Sequence, residues 1–209
     1  MSSKFPTATH CFWLDVESTT LPTEHDEIID FTGVHILEVG VILTDVGLNI
    51  MTEFGGGGYQ AVTKLTMAAA DSLRANEITR EMHKENGLIV DCSRATQTLA
   101  DIDTELDEWL TETGVAKGMW AIAGSGVAAF DHPLVKAKMP KVASWLAYYP
   151  YDWGIFRRCI ASAAGQYVVN PQLASYGDAK VHRAFNDVEA HLREAQSYRD
   201  WVRSLPAPE

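Results

Sequence analysis

The chain has 209 residues, of which 46% are hydrophobic and 22% charged, a composition typical of one globular domain with a sizeable core. Its formal net charge of −11 argues against broad electrostatic binding to duplex nucleic acid, because such binding needs many Lys and Arg side chains to neutralise phosphates. Three cysteines without C-x-x-C spacing indicate free thiols in a reducing compartment, and no apolar run approaches the roughly 18–20 residues that span a membrane, so we expect a cytoplasmic protein without a membrane partner.

The sequence predicts a single domain over residues 11–203, with a flexible arm at 1–10 and a tail at 204–209. In the first third of the chain, the sequence predicts a strand at 11–17, a polar irregular segment at 20–32, a hairpin of strands at 36–44 and 48–54, and a flexible glycine turn at 55–58. A helix at 93–112, capped by Ser93, and a strand at 118–123 follow. The last predicted elements are a helix that starts near Asp131 and is interrupted by Pro133, a short strand within 145–151, a helix from an Asp152 cap to Ala164, and a helix at 184–203. Three strands followed by alternating helices and strands predict an α/β domain with a mixed sheet.

The first strand ends in two carboxylates, Asp15 and Glu17. Because residues two apart in a strand point to the same face, these side chains project side by side, which is unfavourable unless positive charge lies between them. Oxygen ligands of this kind suit Mg²⁺ or Mn²⁺. Two such ions, about 3.5–4 Å apart, stabilise the attacking and leaving oxygens in phosphodiester hydrolysis. Taken alone, this pair of carboxylates is as compatible with an ordinary solvent-exposed strand end as with a metal site.

Two later blocks extend this pattern. The segment Asp15–Leu21 reads Asp-x-Glu-x-Thr-Thr-Leu, Ala128–Asp131 reads Ala-Ala-Phe-Asp, and His182–Asp187 reads His-Arg-Ala-x-x-Asp. Together they resemble the histidine branch of the DEDD exonuclease superfamily, which includes oligoribonucleases and proofreading exonucleases; the family has Gly where this chain has Thr20. The resemblance implies a ribonuclease H-like fold, with a mixed central β-sheet flanked by helices.

The resemblance also implies a role for each matched residue. It assigns metal binding, by two Mg²⁺ or Mn²⁺ ions, to Asp15, Glu17, Asp131 and Asp187, and catalysis to these four together with His182. A histidine suits the role of general base because imidazole can accept a proton near neutral pH. The alternatives are a helix N-cap for Asp131 and an ordinary surface residue for His182.

Substrate contacts are expected from a further set of residues, namely Thr19, Leu21, Phe130, His83, Tyr148 and Tyr149. Thr19 and Leu21 match family positions that grip the 3′-terminal nucleotide, and His83 matches a histidine near the phosphate. Packing in the core is the alternative for Leu21, for His83 and for both tyrosines. Oligoribonucleases carry an Arg for the substrate's 5′-phosphate where this chain has Tyr149, which cannot replace its bidentate contact.

The function indicated by these features is a metal-dependent 3′–5′ exonuclease that converts single-stranded RNA or DNA to nucleoside 5′-monophosphates. One alternative is an oligoribonuclease restricted to very short RNAs, and another is a catalytically silent nucleic-acid-binding or polymerase-associated module. The expected partners are single-stranded 3′ ends, and the resemblance leaves open a homodimer. An additional loop at 22–34 is either a lid beside the site or a surface excursion.

Overall fold

Strand β1 lies in the middle of a five-stranded sheet in the computed structural model, which describes residues 7–25, 28–164 and 182–204. The strands are β1 (His10–Ser18), β2 (Thr23–His25), β3 (Ile28–Asp30), β4 (Ile36–Asp45), β5 (Gly58–Val62), β6 (Trp120–Gly124) and β7 (Tyr151–Asp152). The central sheet has the order β5-β4-β1-β6-β7, in which β1 pairs antiparallel with β4 and parallel with β6. The predicted mixed sheet is confirmed.

Helices cover both faces of this sheet. They are α1 (Met67–Ala75), α2 (Glu77–Glu85), α3 (Leu88–Arg94), α4 (Leu99–Glu112), α5 (Asp131–Lys138), α6 (Pro140–Ala143), α7 (Trp153–Ala164) and α8 (Ala184–Ser204). No helix among the described residues combines the length and the apolar character that crossing a membrane requires.

The alternation of side chains along β1 divides the core in two. Phe12, Leu14 and Val16 enter a cluster with apolar residues of α4, α5 and α6. Cys11 and Trp13 face the opposite way and pack against α8, whose buried Val188, Leu192 and Ala195 form its inner face. Since strand side chains alternate, the odd-numbered residues later in β1 also project toward α8.

The strand predicted at 48–54 is wrong, although the predicted reversal after β4 is observed: Asp45 donates its backbone N–H to the Asn49 carbonyl oxygen, Met51 donates to that of Leu43, and Ile50 forms an antiparallel bridge with Thr44. The antiparallel partner strand of β4 on its outer side is β5. Leu48 has a left-handed backbone (φ 66°), so the chain leaves the sheet edge in a tight turn. The glycines expected as a flexible turn form a short 3₁₀ helix at Gly55–Gly57 that leads into β5.

Several helix and loop boundaries also differ from the predictions. Ser93 lies within α3, and α4 starts after Thr98, whose side chain and that of Asp101 form a reciprocal capping box. Pro133 does not interrupt α5, because it lies in the first turn, where its missing N–H has no intrahelical partner. The segment 20–32, expected to be irregular, contains the small β2–β3 hairpin.

Other boundaries agree closely or remain outside the described residues. The Asp152 cap of α7 is confirmed by a 3.0 Å hydrogen bond from the backbone N–H of Ile155 to Oδ1. The strand predicted within 145–151 reduces to a bridge at Leu146 and the first residue of β7. Residues 1–6 and 205–209 lie outside the described ranges, but Ala8, within the predicted arm, is buried and donates its backbone N–H to Tyr149 Oη.

Candidate active site

The carboxyl end of β1 carries the first two candidate ligands. Asp15 lies opposite Gly40 of β4, and Glu17 lies opposite Glu38. Both continue the face of Cys11 and Trp13 and therefore project toward α8. The pairing of β1 with β4 shifts register after Glu17, so the strand is irregular immediately beyond the second carboxylate.

Three side chains from the two ends of the chain converge at this point. One ligand atom each from Glu17, His182 and Asp187 lies within 4.8 Å of the other two. Asp187 occupies the first turn of α8, and His182 lies two residues before the helix begins. Glu17 and Asp187 are buried, whereas His182 is half-buried. Asp187 therefore lies within the helix predicted at 184–203, and His182 lies just outside it.

The carboxylate of Asp131 contacts the backbone of β1. It accepts hydrogen bonds from the backbone N–H of Asp131 itself and from that of Val16. Burial raises the pKa of Asp131 to about 7, and the nearby charge of Asp152 acts in the same direction, whereas the two hydrogen bonds oppose the shift. A buried carboxylate that ionises only with difficulty is a group that a bound cation would stabilise.

Asp152 fixes the loop that carries Asp131. Its carboxylate accepts the backbone N–H of Gly126 (3.1 Å) and of Ala128 (3.0 Å) in addition to that of Ile155. Burial alone would raise the pKa of Asp152, but these three hydrogen bonds hold it below its usual range. The sequence analysis identified Asp152 only as a cap of α7, because its second role depends on the parallel pairing of β6 with β7.

Two of the expected substrate contacts are buried instead. Thr19 is fully buried, and its hydroxyl accepts hydrogen bonds from the backbone N–H of His35 (3.1 Å) and from Ser72 Oγ (2.9 Å). His83 is also fully buried; its Nε2 lies 2.9 Å from the Ser18 carbonyl oxygen and 3.8 Å from Glu17 Oε2. Both side chains support the end of β1, and neither has exposed surface for a direct contact with substrate.

The remaining substrate candidates divide by exposure. The side chain of Leu21 is 70% exposed and that of Tyr148 is 66% exposed, so both are accessible to a ligand. Tyr149 is half-buried and its hydroxyl accepts the Ala8 N–H at 2.6 Å. Phe130 packs partly against the main core cluster. The packing alternative therefore fits Tyr149 and Phe130 better than a nucleotide contact does.

The structure adds a buried acidic residue that the sequence analysis did not select. Glu38 of β4 is fully buried and forms an ion pair with Arg183, the residue that follows His182. A sequence signal was available, because Glu38 is the only charged residue in the apolar run Ile36–Leu43 and a charge buried in a strand requires a partner.

The donor set fits a hard divalent cation. Four carboxylates, those of Asp15, Glu17, Asp131 and Asp187, are carried by the end of β1 and by the first turns of α5 and α8. Oxygen donors of this kind suit Mg²⁺ and Mn²⁺. Whether all four bind metal together stays a prediction, since the close group contains Glu17 and Asp187 with His182.

Known proteins similar to this chain in sequence are oligoribonucleases. The chain is 29% identical over 199 residues to the oligoribonuclease of Haemophilus influenzae strain PittGG, a match that covers 92% of this chain and 94% of that protein. It is 27% identical to the mitochondrial oligoribonuclease of Bos taurus, over 90% of this chain and 71% of that protein. No protein-family model matches the chain.

Solved structures with a similar fold are exonucleases. Exonuclease I from Methylocaldum szegediense has a TM-score of 0.65 at 15% identity, over 94% of this chain and 42% of that one. Escherichia coli exonuclease I in complex with a dT13 oligonucleotide has a TM-score of 0.60 at 14% identity, over 91% and 41%. This chain therefore spans less than half of either structure. These likenesses confirm the ribonuclease H-like fold, and in sequence the chain is similar to oligoribonucleases, which indicates a 3′–5′ exonuclease.

Proposed function

We propose that the chain is a metal-dependent 3′–5′ exonuclease that hydrolyses short single-stranded RNA or DNA to nucleoside 5′-monophosphates. The observation that carries this proposal is the convergence of Glu17, His182 and Asp187, which places a potential proton acceptor beside two carboxylates. Relatives named oligoribonucleases support this reaction class and favour RNA as the substrate.

The chemistry is divided between the side chains. Asp15, Glu17, Asp131 and Asp187 would hold two Mg²⁺ or Mn²⁺ ions, which supply positive charge to the scissile phosphate and acidify the attacking water. His182 accepts the proton of that water and is half-buried, so it can still exchange the proton with solvent. The hydroxyl of Thr19 anchors the chain at His35 and so holds the segment that leads from Glu17 to Leu21.

Substrate grip in this proposal depends on exposed apolar side chains rather than on a charged cap. Leu21 and Tyr148 are accessible, and a base that stacks on an aromatic ring gains about 1–3 kcal/mol without regard to sequence. Since Tyr149 stands where oligoribonucleases carry the Arg for the 5′-phosphate, chains longer than a dinucleotide are also expected as substrates. The oligoribonuclease limited to very short RNAs is the second candidate, favoured by the sequence relatives.

The test is the digestion of RNA and DNA oligomers of increasing length with Mg²⁺, Mn²⁺ or a chelator. A 3′ label released first as a mononucleotide, with loss of activity in the chelator, is the expected result. Asp187→Asn is the matched inactive control. Binding without cleavage would establish the silent module instead, and internal cuts would overturn the exonuclease reading. A homodimer and a cytoplasmic location stay predictions.

A further inference from the structure

We propose that Glu38 and Arg183 are positioning residues that hold His182 and Asp187 in a geometry competent for catalysis. This inference rests on the proposed function, because it assigns the two residues to the site that performs the hydrolysis. Neither residue belongs to the candidate metal ligands. Their contribution would act through the segment His182–Asp187, which enters the site between two helices and a strand.

Glu38 receives an unusually complete set of hydrogen bonds for a fully buried carboxylate. Arg183 donates from Nε to Oε1 (3.1 Å) and Oε2 (3.0 Å) and from Nη2 to Oε1 (2.8 Å). The backbone N–H of Ala184 donates to Oε2 at 3.0 Å, and Gln60 Nε2 donates to Oε1 at 2.7 Å. A buried charge is tolerated only with such partners, so the contact resists small displacements of its parts.

The Ala184 contact also connects the pair to the start of α8. The first N–H groups of a helix have no intrahelical partner, and the helix dipole favours a negative charge there. Glu38 therefore caps α8 from a neighbouring strand, at the helix end that carries Asp187 in its first turn. Arg183 also forms an ion pair with Asp91 of α3, with its Nη1 2.9 Å from Asp91 Oδ2.

His182 needs such support because its backbone is strained. Its φ of 48° lies in the left-handed region, which residues other than glycine rarely adopt. Two sets of contacts flank the strained residue: Asn86 Nδ2 donates to its carbonyl oxygen at 2.5 Å, and Glu38 accepts from the side chain of Arg183 and from the backbone N–H of Ala184. Strain of this kind persists only where the surroundings determine the conformation.

Gly40 shows how closely β4 and α8 approach. A Cβ atom at Gly40 would lie 2.5 Å from the carbonyl carbon of Ala184 and from the backbone nitrogen of Phe185. The backbone of β4 thus closely approaches Ala184 and Phe185, the first residues of α8, while Glu38, on the same strand, binds the backbone N–H of Ala184 and the side chain of Arg183. The strand that pairs with β1 therefore fixes α8 relative to Glu17.

The test compares Glu38→Gln and Arg183→Lys with Glu194→Gln. Glu194 is a matched control, because it is also buried and lies in α8, two helical turns after Asp187, where it forms an ion pair with Arg157 of α7 at 2.9 Å. In Glu38→Gln and Arg183→Lys we expect kcat on a short RNA oligomer to fall about 10–100-fold, while KM changes less than about twofold. In both variants the backbone amides of 183–187 should exchange hydrogen faster than in the wild type. Glu194→Gln should leave kcat and these amides unchanged.

A less disruptive substitution allows the inference to be tested even if Glu38→Gln does not fold. Asp91→Asn removes one partner of Arg183 at a half-exposed site and uncovers no buried charge, so it should melt as the wild type does and lose about 3–10-fold in kcat. Wild-type kcat in this variant and in Arg183→Lys, with unchanged amide exchange at 183–187, would overturn the inference. If the wild type itself cleaved no oligomer, the proposed function would fail, and the amide exchange would still decide whether the pair orders this segment.

Discussion

The carboxylate of Asp131 accepts a hydrogen bond from the backbone N–H of Val16, the residue that separates Asp15 from Glu17. The parallel pairing of β1 with β6 extends only to Trp13, opposite Ala123, so beyond that point the edge of β1 is open to another partner. Asp131 occupies this place. One hydrogen bond therefore connects two parts of the candidate site that are more than a hundred residues apart in the sequence.

The buried state of Asp131 predicts a pH dependence of stability in the metal-free protein. Its pKa is about 7 in the folded chain against about 3.9 for an ordinary Asp, so between these values the folded state binds more protons than the unfolded state. The stabilisation is present at low pH and is lost as the pH rises toward 7, by an amount on the order of a few kcal/mol. Bound Mg²⁺ should reduce the loss, because it stabilises the ionised carboxylate.

The measurement is urea unfolding of the wild type and of Asp131→Asn in chelator across pH 4–8. The wild type should become less stable relative to the variant as the pH rises. His132, whose pKa burial lowers to about 4, gives a slope of the opposite sign, but it is common to both proteins and cancels in the difference. A difference that does not vary with pH would show that Asp131 is ionised throughout.

Removal of a single carboxylate should abolish turnover and leave the fold intact. In Asp15→Asn and Asp187→Asn we expect kcat to fall by at least about 10²-fold, since each loses a charge that would hold a cation at the phosphate. Metal-free stability should hold or rise slightly, because the acidic groups repel one another less. Circular dichroism melts and single-turnover assays check both statements, and substantial activity in purified Asp15→Asn would contradict the two-metal proposal.

His182 lies close enough to Glu17 and Asp187 to be either a base or a ligand, and one variant separates these roles. As a general base, His182 contributes about 10²–10⁴-fold to the rate without contributing to metal affinity. We expect His182→Ala to lose activity by that factor and to bind Mn²⁺ as the wild type does in calorimetry. A large loss of Mn²⁺ affinity would identify His182 as a metal ligand instead.

The two neighbouring tyrosines should respond differently to substitution. Tyr148 is exposed, so Tyr148→Ala should weaken binding of a single-stranded oligomer by about 1–3 kcal/mol if the ring stacks on a base. Tyr149→Phe removes the acceptor of the Ala8 N–H and should lower stability while leaving substrate KM unchanged. The check is KM for 5′-phosphorylated RNAs of two to eight nucleotides; a steep loss of efficiency beyond two would favour the strict oligoribonuclease.

Gly40 and Gly33 form a matched pair for the packing of α8 on β4. A Cβ at Gly40 meets backbone atoms of α8 at 2.5 Å, whereas one at Gly33 meets no atom within 4 Å. Gly40→Ala should therefore destabilise the protein by about 1–3 kcal/mol or more and reduce kcat, because α8 must move away from the site. Gly33→Ala should change neither the free energy of unfolding nor kcat. Equal urea midpoints for the two variants would show that α8 can shift without cost.

The two elements that carry the candidate site residues were predicted better than the elements between them. β1 contains a continuous apolar run and α8 an apolar stripe of helical period, and these patterns predicted their extents to within one residue. The strand predicted at 48–54 was wrong because this segment is apolar enough for a strand, whereas the glycines that lead into β5 bring that later segment to the edge of β4. Local propensity does not record which of two segments reaches a sheet edge.

The supporting residues were harder to predict because their partners are remote in sequence. The bond from Asn86 to His182 spans 96 residues, and the bonds from Arg183 to Glu38 span 145. Nothing within either segment specifies these pairs. His83 and Thr19 illustrate a different case, in which the resemblance to a family motif did not reveal that the side chain is buried.

The placement of the site residues on β1 and on α8 has a consequence for biosynthesis. Glu17 is translated well before His182 and Asp187. The sheet of β1, β4, β5 and β6 can begin to form on the nascent chain, but the face of β1 that receives α8 stays uncovered until α8 has been translated. Glu17 and Asp187 can therefore come together only when α8 is available to pack on this face.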